Sequence, residues 1–209
     1  MPKNKTAYII AAGPVEDYDY IKKIIPADAF IVCADGGIKH CKALNINPNL
    51  IISDFDSSVE ENFECEILKF PCEKDDTDFS LSVKKVIELG YDNIIAFGAL
   101  GGRIDHTIGA IQILEYCLNQ GVKCTLVDKK NQIQMIRGET ELLIKKGSKN
   151  VSLFSYSEKC EGLTLTGMKY PLENGVLTSF FPLGISNMAI EDAKINLKKG
   201  TMLIVFSQD

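Results

Sequence analysis

A string of aspartates stands at the ends of apolar runs in the first half of this 209-residue chain. They fall in ADGG (34–37), SDFDS (53–57), KDDTD (74–78) and GALGGRIDH (98–106), each preceded by a short β-like run (30–33, 50–52, 67–70 and 94–97). In an open parallel sheet the carboxyl ends of the strands share one edge, and ligands bind there. Asp35, Asp54, Asp56, Asp75, Asp76, Asp78 and Asp105 are therefore expected to meet in one cleft. Carboxylates so close repel one another unless a cation intervenes, and hard oxygen ligands select Mg²⁺. A magnesium site calls for an anionic substrate to complete its shell, which makes a nucleoside triphosphate the natural candidate.

Each motif has a plainer reading when taken alone. KDDTD is an ordinary helix N-cap, with Asp76 or Thr77 as the capping residue. SDFDS makes an Asx-turn, and DGG makes a tight turn. Asp78 opens a helix, where backbone N–H groups also favour phosphate. GALGGRIDH is the most distinctive stretch. Its glycines allow close backbone approach, Arg103 offers a planar fork of donors for phosphate, and Asp105 with His106 opens the next helix. His106 alone is more often a cap or core partner than a catalyst. There is no G-x-x-x-x-G-K-[ST] loop, no G-x-G-x-x-G and no Ser-His-Asp ordering.

Two halves differ in the periods that must position these residues. Up to about residue 125, strand and helix signals alternate: a strand over 7–12, helices over 17–25 and 37–44, a longer helix from residue 76 or 77 to Leu89, and another starting near Asp105. That last helix carries Ile108, Ile111, Leu114 and Leu118 on one face, and a strand returns over 123–127. This alternation predicts a mainly parallel sheet with flanking helices, a Rossmann-like arrangement. From about Lys130 the helical period vanishes. Short strands are expected at 133–137, 141–144, 151–156, 163–166, 175–180, 188–191, 195–197 and 201–206, which predicts an all-β sandwich or small barrel. The domains are read as 1–128 and 129–209.

Composition sets the remaining bounds. With 45% hydrophobic and 24% charged residues the chain is globular. A net charge of −5 lacks the basic footprint of a nucleic-acid binder. No apolar stretch reaches membrane-spanning length and no signal peptide is visible. The seven cysteines include no C-x-x-C pair, so a reduced, cytoplasmic protein is expected. His40 and Cys41 with Cys65 and Cys72 match no standard zinc spacing.

In order and spacing, ADGG, DFDS, KDDTD and GGRIDH together resemble the thiamine pyrophosphokinase family. KYPL (169–172) and GISN (184–187) resemble that family's β-rich thiamine-binding domain. The resemblance implies an α/β ATP-binding domain, a β-sandwich, and a homodimer whose active sites are shared between subunits. It implies transfer of the pyrophosphoryl group of ATP to the hydroxyl of thiamine, giving thiamine diphosphate and AMP. Asp54, Asp56 and Asp78 are the implied Mg²⁺ ligands and catalytic carboxylates, with Asp35 beside them. Lys74, Thr77, Arg103 and His106 fall to the nucleotide. Asp105 orients thiamine or its hydroxyl, or acts as base. Ser186 and Asn187 hold the thiamine pyrimidine. Ser53 stands where the family usually has glycine, and Met188 where it often has an acidic residue. The chain has no tryptophan, so stacking on thiamine falls to Tyr or Phe, or to another surface. A metal-dependent phosphohydrolase and a non-catalytic nucleotide sensor are the alternatives that the carboxylates alone leave open.

Overall fold

Among the described residues, fourteen strands and four α-helices form a mixed α/β fold that divides into two compact units, Met1–Lys129 and Lys130–Asp209. The structure is a computed structural model and describes residues 5–54, 63–70, 76–147 and 150–208. Within these residues no helix is long and apolar enough to cross a membrane.

In the first unit the chain runs β1 (Thr6–Ile10), α1 (Tyr18–Ile24), β2 (Phe30–Ala34), a 3₁₀ turn (Asp35–Gly37), α2 (Ile38–Leu44), β3 (Leu50–Asp54), β4 (Glu66–Phe70), α3 (Asp78–Glu88), β5 (Asn93–Phe97), α4 (Ile104–Asn119) and β6 (Lys123–Val127). The strands lie in the order β6-β5-β1-β2-β3-β4, and every pairing within this set is parallel. Strands buried on both faces must be apolar along their whole length, and Ala7 to Ile10, Ile31 to Ala34 and Leu50 to Ile52 are all buried. From β1 the chain builds outward through β2, β3 and β4, then crosses back to β5 on the other side. The turns after β1 and β5 thus leave neighbouring strands in opposite directions, the arrangement that opens a crevice at the carboxyl edge.

The helix boundaries follow local chemistry. Asp17 caps α1, its carboxylate accepting from the Tyr20 N–H at 2.9 Å, and Pro26 lies just beyond the end. Thr77 caps α3 through its hydroxyl, 3.1 Å from the Ser80 N–H, and Gly90 follows at φ +81°. The expected apolar face of α4 is rotated in the structure. Ala110, Leu114 and Cys117 are the buried residues, whereas Ile108 is exposed. Small Ala110 and Cys117 let the helix sit close, and Ile108, about 200° round the helix from Ala110, faces away from the covered side.

The second unit is all β. It contains β7 (Asn131–Arg137), β8 (Thr140–Ile144), β9 (Asn150–Ser155), β10 (Lys159–Met168), β11 (Leu172–Thr178), β12 (Gly184–Asn187), β13 (Ala189–Leu197) and β14 (Thr201–Ser207). One antiparallel set runs β12-β9-β14-β7 and the other β11-β10-β13-β8. Their inward residues, among them Leu153, Leu163, Ile195 and Ile204, form one core. Two expectations need correction. The strands expected at 188–191 and 195–197 are a single strand, β13, in which the charged Glu191, Asp192 and Lys194 are exposed between buried Ala189, Ala193 and Ile195. The segment 184–187, where no strand is expected, pairs with β9 as β12.

Candidate functional site

Asp35, the end of β3 and the end of β5 all lie at the carboxyl edge of the first unit's sheet. The register Ala34↔Ile52 places Asp35 beside Ser53 and Asp54 on the adjoining strand. Helix α3 packs against β1, β2 and β3, with Asp78 as its first residue. The backbone of Asp54 is described but its side chain is not; Asp56, Lys74 and Asp75 lie outside the described residues. Among the described residues no group of three or more His, Cys, Asp or Glu is placed to hold a metal ion. The donor types nevertheless suit a hard cation: Asp35, Asp54 and Asp78 are carboxylates placed by two adjacent strand ends and a helix start.

Glycine backbone builds the floor of this edge. A Cβ on Gly37 would lie 2.1 Å from the Ile10 carbonyl oxygen, and one on Gly13 would lie 2.4 Å from that of Gly98. Gly98, at φ +66°, would bring a Cβ to 2.4 Å from the Ala11 oxygen. The turns after β1, β2 and β5 therefore touch backbone to backbone. The Gly13 N–H donates to the Gly98 oxygen at 2.7 Å and the Ala11 N–H to the Phe97 oxygen at 2.8 Å. Asp35 itself sits at φ +40°, a left-handed conformation that costs a non-glycine residue energy and that the surrounding turns hold in place.

Arg103 and Asp105 form a two-pronged ion pair at the start of α4. Nε and Nη2 of Arg103 donate to the two carboxylate oxygens at 3.1 and 2.5 Å. The guanidinium, helped by the His106 N–H, holds the Asp105 carboxyl down at about 2. A carboxylate this weakly basic is poorly matched to proton abstraction at neutral pH. Both side chains are largely exposed, so the pair matters more for aiming the guanidinium than for stability. His106 is exposed beside them. Asp76 is engaged elsewhere, accepting from Lys84 Nζ at 2.8 and 2.7 Å and from the Ser80 hydroxyl at 3.1 Å.

Beneath the glycine turns lies a pair that sequence reading does not reveal. His40 is 3% exposed; one ring nitrogen is 2.7 Å from the Gly13 oxygen and the other 2.8 Å from the Tyr18 hydroxyl. Both nitrogens are thus occupied, which removes His40 from any zinc site. Cys33, Cys41, Cys117 and Cys124 are buried, and Cys72 lies outside the described residues. Burial lowers the His40 pKa. The available signal is a polar residue inside the α2 segment that buries Ile38, Cys41 and Leu44.

In the second unit Ser186 and Asn187 differ sharply. Ser186 is exposed, at φ +58°, and its N–H donates to the Ser152 hydroxyl at 3.0 Å. Asn187 is 6% exposed. Its carbonyl oxygen accepts from the N–H groups of Tyr170 and Met188 at 3.0 and 2.9 Å, and its NH₂ donates to the Tyr170 oxygen at 2.8 Å. Both lone pairs of that oxygen are used by these bonds. The exposed ring of Tyr170 is held beside this clamp.

Comparison with known proteins agrees with both units. Residues 21–126 match the family model described as thiamin pyrophosphokinase, catalytic domain, and residues 132–202 match thiamin pyrophosphokinase, vitamin B1 binding domain. The chain is 32% identical to thiamine pyrophosphokinase of Bacillus subtilis, covering 98% of this chain and all of that protein. The crystal structure of the Bacillus subtilis thiamine pyrophosphokinase superposes with a TM-score of 0.89 over 98% of this chain and 100% of that one. The thiamin pyrophosphokinase of Geobacillus thermodenitrificans superposes with a TM-score of 0.87 at 25% identity, covering 98% of each chain.

Proposed function

The chain belongs to the thiamine pyrophosphokinase family and is a transferase, and from that premise we propose how its residues divide the work. ATP and thiamine are the substrates, and the family assignment gives no support to a phosphohydrolase or a sensor. In the reaction the thiamine hydroxyl oxygen bonds to the β-phosphorus of ATP. The bond from that phosphorus to the α–β bridging oxygen breaks, AMP leaves, and the hydroxyl proton passes to solvent or a nearby acceptor. Such transfers depend mainly on positioning and on neutralising charge.

The observation that carries this division is the carboxyl edge of the first unit, where glycine turns meet a row of carboxylates. Backbone with no side chains lets phosphates approach closely, and the N-terminus of α3 adds oriented N–H groups. Asp54, Asp56 and Asp78 are the proposed Mg²⁺ ligands, with Asp35 alongside. Mg²⁺, when bound, offsets the charge of the phosphates and of these aspartates. Lys74, Thr77, Arg103 and His106 face the nucleotide in this reading. Asp105 holds the Arg103 fork in a fixed direction through the two-pronged ion pair.

Ser186, exposed on β12, contacts the thiamine pyrimidine, while Asn187 fixes the strand and the Tyr170 backbone from within. Thiamine carries positive charge, which suits an acidic cleft. The domain boundary at 128/129, a doubly wound Rossmann-like first domain and a β-sandwich second domain complete the architecture. We also propose a homodimer with shared sites. Phe180, Phe181 and Leu183 are 80%, 62% and 67% exposed in one loop, an apolar patch that a second subunit would cover. Cytoplasmic location fits the buried free thiols.

Incubation with ATP, Mg²⁺ and thiamine tests the assignment. AMP and thiamine diphosphate should form together, and only when thiamine is present. Phosphate release without thiamine would instead mark a hydrolase, and binding without product a sensor.

A further inference from the structure

We propose that His40 and Tyr18 are positioning residues for the nucleotide end of the site, acting through the backbone of Gly13. The inference rests on the reading of the carboxyl edge as the ATP site. A carbonyl oxygen can only accept, so the ring nitrogen 2.7 Å from the Gly13 oxygen, Nε2, must carry the proton. In the neutral ring Nδ1 is then an acceptor, and the Tyr18 hydroxyl donates to it at 2.8 Å. One imidazole thus bridges the turn that leaves β1 and the first residue of α1, from its own place in α2.

From Gly13 the connection continues upward. Its N–H holds the Gly98 oxygen at 2.7 Å. The next residue, Pro14, supports Gly101 and Gly102, on which a Cβ would lie 3.0 and 3.3 Å from the proline ring. Arg103 follows directly. The orientation of Gly13 therefore sets the orientation of the whole 98–102 turn and the root of the Arg103 fork. A hydrocarbon side chain of equal volume would fill the same space among apolar neighbours. It would not fix the direction of the Gly13 carbonyl, and an imidazole buried there is tolerated only because both nitrogens are bonded.

The test compares three variants of the full chain. His40→Phe keeps a planar ring and removes both hydrogen bonds. His40→Gln retains an N–H at nearly the Nε2 position. Tyr18→Phe strands Nδ1 without a donor. His40→Phe should lose between about tenfold and a hundredfold in kcat/KM for ATP, with KM for thiamine unchanged, since sub-ångström misplacement acts on the group being positioned. His40→Gln should recover most of that loss, and Tyr18→Phe should fall between. Hydrogen exchange at the Gly13 amide supplies a readout independent of turnover. Exchange should speed up in His40→Phe and slow again in His40→Gln. Normal ATP kinetics in a folded His40→Phe, or equal damage to both substrates, would overturn the proposal. So would failure of His40→Gln to restore Gly13 protection. A wild-type chain that makes no AMP would overturn the ATP reading instead, and the exchange comparison would still decide whether His40 anchors Gly13.

Discussion

Gly98→Ala puts the backbone contact beneath the proposed nucleotide to a quantitative test. Gly98 lies at φ +66°, and an added Cβ would sit 2.4 Å from the Ala11 oxygen. Two costs follow. Holding alanine in the left-handed region costs about 1–2 kcal/mol. Relieving the overlap requires the Ala11 oxygen to retreat by about 0.6 Å, the difference between 2.4 Å and the 3.0 Å that real Cβ contacts require. Ala11 is not free to yield, since its N–H is held by the Phe97 oxygen at 2.8 Å. Overpacking of this kind costs about 1–3 kcal/mol. Gly90→Ala separates the two costs. Gly90 lies at φ +81° in the same unit, and a Cβ added there would meet nothing within 4 Å. It should lose the conformational part alone. In urea unfolding followed by the transition that reports the first unit, Gly98→Ala should be less stable than Gly90→Ala by about 1–3 kcal/mol. Its kcat/KM for ATP should drop roughly tenfold or more, while Gly90→Ala stays near wild type. Equal stability losses in the two variants would refute the backbone-contact argument, and unchanged ATP kinetics in Gly98→Ala would show that this turn does not position the nucleotide.

Asp54→Asn and Asp56→Asn should each lower turnover by roughly a hundredfold or more and weaken Mg²⁺ binding followed by calorimetry; near-normal values in both would remove these residues from the metal site. Ser186→Lys, a change at an exposed position, should repel cationic thiamine and raise its KM with ATP binding intact. Mixed with Asp56→Asn subunits it should recover activity above either parent if sites are shared, and a fully active monomer by light scattering would exclude sharing. Asn187→Ala should cost about 1–3 kcal/mol of stability by stranding the Tyr170 and Met188 N–H groups, so thiamine kinetics that suffer with no loss of stability would contradict its role as a clamp. The pH dependence of stability should carry a His40 segment. Its folded pKa is lowered by burial, so the unfolded chain binds the extra proton first, and stability falls as pH drops through the unfolded value of about 6.5. His40→Gln should flatten urea midpoints between about pH 7 and about pH 5.5, and a slope identical to wild type would show that His40 is not buried in neutral form.

The architecture was legible because its signals are local and repeated. Parallel strands buried on both faces had to be continuous apolar runs, and 30–33, 50–52 and 94–97 are such runs. The helix cap at Thr77 was legible for the same reason, since a capping side chain bonds a backbone group only three residues away. The failures fall where tertiary packing outranks pattern. Ile108 matches the helical period of α4 but lies on the face opposite the buried Ala110, Leu114 and Cys117. Strand β13 reads as two because its outward residues are charged, and alternation over only a few residues reads as a turn when one face is solvated.

The carboxylates of the proposed site are legible in the sequence, but what holds its backbone is not. An aspartate after a strand announces itself by chemistry, whereas a glycine that must meet the Ile10 carbonyl, or a histidine that grips the Gly13 oxygen, is defined by atoms distant in sequence. His40 lies 27 residues from Gly13 and 22 from Tyr18; no periodicity links them, and only the parallel order of β1 and β2 brings the three together. Asn187 shows the same division in the second unit. It is buried and bonded to Tyr170 and Met188, whereas its neighbour Ser186 is exposed. Short polar residues beside a ligand edge therefore divide into those that reach outward and those that hold the reaching segment still, and the deciding quantity is how many of their hydrogen-bonding groups the chain has already used.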